Sequence, residues 1–127
     1  MNPNKFCELM NKITQGSYWT VILEDYGHIG TEEVVVWNNY MKVPDDQLEN
    51  ILLGTFLNEF GSVLYKHFNY ELSLVAQCGY RCFQVYSYFH NSKMFESNYT
   101  LSIPEQIQEC INKYLPKIIR RNNDDNI

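Results

Sequence analysis

The chain is poor in alanine and arginine and has no long apolar run. Alanine occurs once, at Ala76, and arginine only at Arg81, Arg120 and Arg121. No apolar stretch approaches the roughly 20 residues that cross a bilayer. The first residues lack a basic start followed by an apolar segment, so no secretory signal is expected. A cytoplasmic location follows as the expectation, with Cys7, Cys78, Cys82 and Cys110 as reduced thiols. Ten Lys+Arg against 15 Asp+Glu give a net charge of −5. So few cations argue against direct nucleic-acid binding, which depends on neutralising phosphates.

What is present points to a folded protein. Hydrophobic residues make up 45% of the 127 and charged residues 20%, which excludes a disordered chain. That length suits one domain. Ten tyrosines, seven phenylalanines and two tryptophans supply the bulk that alanine does not. The many asparagines, as in Asn38-Asn39, read as coding bias.

Pattern places the elements. Asn2 caps a helix over 3–15 whose stripe is Phe6, Leu9, Met10 and Ile13, with Gly16 ending it. Strands follow over 17–24 and 32–40, joined by a turn with two glycines. Pro44, Asp45 and Asp46 start a second helix that reaches towards 68. Gly54 and Gly61 either share a face for close approach or mark a bend near Gly61. A second hairpin over 71–77 and 81–90 turns at Gly79-Tyr80 as a type II′ turn. Residues 94–101 alternate as a fifth strand. Ser102 and Glu105 form the capping pattern of a last helix over 103–120, which Pro116 should kink or shorten. The expected fold is α+β: one domain over 1–121, an antiparallel sheet of four to five strands with helices on one face, and a polar tail over 122–127. The order is α-β-β-α-β-β-(β)-α.

Charge is laid out unevenly. Between Glu24 and Glu59 there are eight acids and a single base, Lys42. If they converge, they attract a basic partner and speed its encounter. The candidate contact residues are Glu32, Glu33, Asp45, Asp46 and Glu49. Tyr86 and Tyr88, two apart on a strand, add an aromatic contact platform.

Motifs for chemistry are weak. Cys78-x3-Cys82 with His67 and His90 lacks the paired spacing of structural zinc, so no metal is expected. His28 lies near Glu24 and Asp25 without a recognisable nucleophile. Residues 27–30 lack the phosphate-loop spacing, and no cofactor is expected. The reading is a small acidic protein-binding module without catalysis. Its concrete form is a stoichiometric inhibitor of a basic, nucleic-acid-handling protein, acting by occlusion, of the phage or mobile-element anti-defence type or the toxin-immunity type. The alternative is a homodimeric scaffold or secretion-chaperone-like subunit. A third reading is a small enzyme using a histidine or a thiol.

Overall fold

The computed structural model describes residues 1–125. The protein is α+β and carries two three-stranded antiparallel sheets in place of the expected single sheet. The backbone packs as two compact units, Met1–Thr55 and the chain from Phe56 onward.

The first unit runs α1 (Pro3–Thr14), β1 (Trp19–Asp25), β2 (Thr31–Trp37), β3 (Met41–Val43) and α2 (Leu48–Thr55). Asn2 accepts from the Lys5 N–H at 3.1 Å and caps α1 as expected. The left-handed residue that ends α1 is Gln15, one residue before Gly16. β1 and β2 pair from Trp19↔Trp37 to Asp25↔Thr31, so the hairpin of the sequence is present. The predicted strand over 32–40 breaks early, because Asn38 and Asn39 both take positive φ, 53° and 70°. The chain reverses there and β3 pairs back on β2. α1 lies against the β1–β2 sheet, where Phe6 meets Trp19 edge-on at 5.5 Å. The Asn11 side chain on α1 accepts from the Trp19 N–H at 3.1 Å and donates to its carbonyl at 2.9 Å. One amide thus takes the place of a neighbouring strand on the β1 edge.

The second unit opens with a π-helical turn (Phe56–Phe60), followed by α3 (Gly61–Phe68), β4 (Tyr70–Gln77), β5 (Tyr80–Ser87), β6 (Ser92–Glu96) and α4 (Ile103–Asp125). The helical run reaches Phe68 as expected, and in place of a bend or break near Gly61 it carries this π turn. A Cβ on Gly61 would make ordinary contact with Leu72 at 3.7 Å, and one on Gly54 would meet nothing within 4 Å. The two glycines therefore serve no shared close approach. The β4–β5 turn is Cys78-Gly79, since Gln77 pairs with Tyr80. Both central residues have positive φ, 51° and 85°, the pattern of a type I′ turn in place of the expected II′. The fifth strand of the sequence is shorter and earlier than 94–101. It ends at Glu96 because Ser97 turns into the core. Ser102 accepts from the Glu105 N–H at 3.3 Å, so the capping pattern is formed. α4 passes through Pro116 and continues over 122–125, which were expected to be tail; residues 126–127 lie outside the described ones.

Tyr114, Phe56, Phe60, Phe83 and Leu64 are fully buried in this unit. Within its core sits one polar network. Gln106, 1% exposed, donates to the carbonyls of Arg81 at 3.1 Å and Leu101 at 3.0 Å. Its own carbonyl accepts from the Ser97 hydroxyl at 2.6 Å, and Ser97 accepts from the Phe83 N–H at 2.7 Å. The side chains complete β5 where β6 has left it.

Gln106→Leu keeps the volume but strands two carbonyls. Urea unfolding should show a loss of about 2 kcal/mol or more, the cost of unpaired buried polar groups. Cys78→Asn places a residue that tolerates positive φ into the exposed turn, and the same measurement should show a gain of about 0.5–1 kcal/mol.

Candidate functional site

The register of the first hairpin sets two acids face to face. Glu24 and Glu32 are direct cross-strand partners, an arrangement that like charges disfavour unless they are compensated. The compensation comes from the third strand. The Lys42 ammonium forms an ion pair with Glu24, and the Tyr26 hydroxyl donates to the same carboxylate at 2.5 Å. Asp45, on the single helical turn between Pro44 and α2, completes the rim. A depression of about 240 Å³ is lined by Glu24, Tyr26, Glu32, Lys42 and Asp45, with Val34, Val43 and Pro44 as its apolar part.

The titration of these groups reflects the crowding. Hydrogen bonds from Lys42 and then Tyr26 hold the Glu24 carboxyl below its ordinary value. Tyr26 is pushed up to about 12, first by its hydrogen bond to Glu24, then by desolvation and the fields of Glu24, Glu32 and Asp45. Three carboxylates therefore act on one hydroxyl, and one lysine faces them.

The seven residues singled out from the sequence separate. Glu32 and Asp45 line the depression. Glu33 lies on the other face of β2, because neighbours along a strand alternate. There it accepts from the Asn4 side chain at 3.3 Å. Asp46 and Glu49 are exposed at the start of the second helical segment and are not among the lining residues. Tyr86 and Tyr88 belong to the second unit. They share the sheet face away from Phe83 and Val85, as alternation predicts, and pack edge-on at 5.6 Å. The Tyr86 hydroxyl bonds Asn91, and Tyr88 donates to Glu71 at 2.5 Å. That bond raises the Tyr88 pKa.

Sequence reasoning missed Glu24, Tyr26 and Lys42 as site members. The signal for Glu24 was available, since a hairpin centred on residue 28 pairs 24 with 32. Lys42 was hidden because no strand was expected between the one over 32–40 and the helix start at Pro44. Among the described residues, no group of three or more His, Cys, Asp or Glu side chains is placed to hold a metal ion. Cys78 is exposed in its turn, whereas Cys82 is buried with its thiol 3.7 Å from Glu96. Among the described residues, no helix is long and apolar enough to cross a membrane. Comparison with known families, with curated proteins and with solved structures finds no match.

A carboxyl with a depressed pKa contributes stability above its unfolded value, near 4.5, and loses it as pH falls through the folded value. In Lys42→Met the Glu24 titration, followed by carbon NMR of the carboxyl, should move up towards 4.5. The variant's acid unfolding should be correspondingly less dependent on this group. A Glu24 titration that stays where it was would remove Lys42 as the cause.

Proposed function

We propose that the chain is a non-catalytic protein-binding module that presents an anionic surface to a basic partner. In its concrete form it is a stoichiometric inhibitor of a nucleic-acid-handling protein, of the anti-defence or toxin-immunity type, acting by occlusion. One observation carries the reading. The first unit holds three lysines against eight acids and so bears the whole net charge of −5, while the second unit holds seven cations against seven acids. Within the first unit, Glu24, Glu32 and Asp45 meet around one depression.

A guanidinium suits such a place. Its fork pairs with carboxylates two bonds at a time, its stem covers Val34 and Pro44, and the Tyr26 ring offers a face for the cation. The partner's phosphate-binding arginines are then engaged and nucleic acid is kept off. Tyr86 and Tyr88 supply a second contact whose rings are held by Asn91 and Glu71.

The test is affinity capture from the native host, followed by association kinetics on the captured protein. Glu32→Gln with Asp45→Asn should slow association about tenfold at low salt and flatten its salt dependence. Glu33→Gln with Glu49→Gln should alter it little. Equal association by both pairs, or a captured partner without a basic surface, would sink the proposal.

A further inference from the structure

The two sheets have four outer edges, and they are blunted to different degrees. β1 is closed at its first residue, Trp19, by the Asn11 amide and is otherwise open along an unbroken register. β3 is three residues long and carries Lys42. β6 is five residues long, carries Lys93 and joins β5 through a register shift. Short edges, lysines and irregularities are how proteins prevent strand addition. β4 has none of them. It is eight residues long, YELSLVAQ, with no lysine, no proline and an unbroken register.

Its free hydrogen-bonding groups can be assigned. Tyr88 N–H donates to the Asn69 carbonyl. Phe83 turns its N–H and carbonyl, and Arg81 its carbonyl, away from β4 to Ser97 and Gln106. Even-numbered residues of β5 therefore face β4, and they pair with the odd-numbered residues of β4. The N–H and C=O groups of Tyr70, Leu72, Leu74 and Ala76 point outward, about 6.7 Å apart. They have no hydrogen-bond partner among the described residues. Only an extended backbone matches that spacing.

A groove of about 310 Å³ runs beside the first half of this edge. One wall is Tyr70, Glu71 and Leu72 of β4; the other is Leu57, Asn58, Gly61, Ser62 and Tyr65. Leu57 and Tyr65 offer apolar surface, and Glu71 is the charged residue of the lining. A second copy of the chain would bring β4 against β4, and that strand has no cation to set against Glu71. Charge complementarity favours a different occupant.

We propose that β4 receives an extended segment of a partner protein as an added strand, in which apolar residues alternate with Lys or Arg. The partner's apolar side chains enter the groove and a basic one lies against Glu71. This surface belongs to the second unit and does not rest on the acidic depression of the first.

The test uses the full chain and a display library of random peptides of about nine residues. Enriched peptides should be extended, rich in alternating apolar residues and basic, and should slow hydrogen exchange at Tyr70, Leu72, Leu74 and Ala76. Leu74→Pro removes an outward N–H without breaking a bond to β5, so the fold should persist. Exchange protection at Glu71, Ser73 and Val75 checks that it does. This variant should bind the enriched peptides about tenfold more weakly, the loss expected for one or two hydrogen bonds. Glu71→Arg should shift the selected sequences from basic to acidic. Glu32→Gln with Asp45→Asn should leave peptide binding unchanged. Absence of enrichment overturns the proposal, as does undiminished binding by both Leu74→Pro and Glu71→Arg. So does a peptide-free dimer in sedimentation whose outward β4 amides are already protected.

Discussion

Every strand at the margin of a sheet leaves half of its backbone groups without a partner, and this structure is organised by how those groups are satisfied. Three-stranded sheets have one strand each with neighbours on both sides, so edges outnumber interior strands. Side chains answer part of the deficit. Asn11 gives Trp19 both a donor and an acceptor. Within the core, Gln106 on α4 donates to the Arg81 carbonyl, and Ser97, just after β6, accepts from the Phe83 N–H. These bonds tie helices to sheets at defined positions, which apolar contact alone does not. Because a buried carbonyl without a partner costs more than a hydrogen bond gains, the geometry is fixed by avoidance of loss.

Much of the local structure was legible in the sequence. Caps at Asn2 and Ser102, the helical stripes and the first hairpin follow from spacing and side-chain chemistry. What was not legible traces largely to one residue type. Asn38, Asn39, Asn69 and Asn91 all take positive φ, a conformation usually left to glycine. Read as coding bias, Asn38-Asn39 vanished into a long strand, and β3 vanished with it. The Cys78-Gly79 turn escaped for a related reason, since cysteine is a poor indicator of a left-handed position. The number of sheets could not be read at all, because alternation marks a strand's faces but not which strands share a ladder.

The site was half legible for the same reason. The acidic excess was visible in composition along the chain, and the first unit carries the entire charge imbalance. Sorting them required register. Adjacent Glu32 and Glu33 point to opposite faces, so a strand's list of acids always overstates a cluster by about two. Conversely Glu24, distant in sequence from Asp45, joins it only because the hairpin pairs 24 with 32 and β3 returns beside β2. Lys42 then has a double effect. It lets the Glu24–Glu32 pair exist, and it sets how much anionic character remains for anything that binds there.

Cost and use meet at such places. A cross-strand pair of glutamates contributes less to folding than almost any other pair at the same positions. A long edge strand with a single charge is an aggregation risk, which the short β3 and β6 edges with their lysines suppress. Neither feature is accounted for by stability, because Lys42 only compensates the first and nothing blunts the second. Both lie beside depressions with mixed apolar and acidic walls, one in each unit. On the two proposals made above, both departures are explained by what the concave surface beside each of them receives.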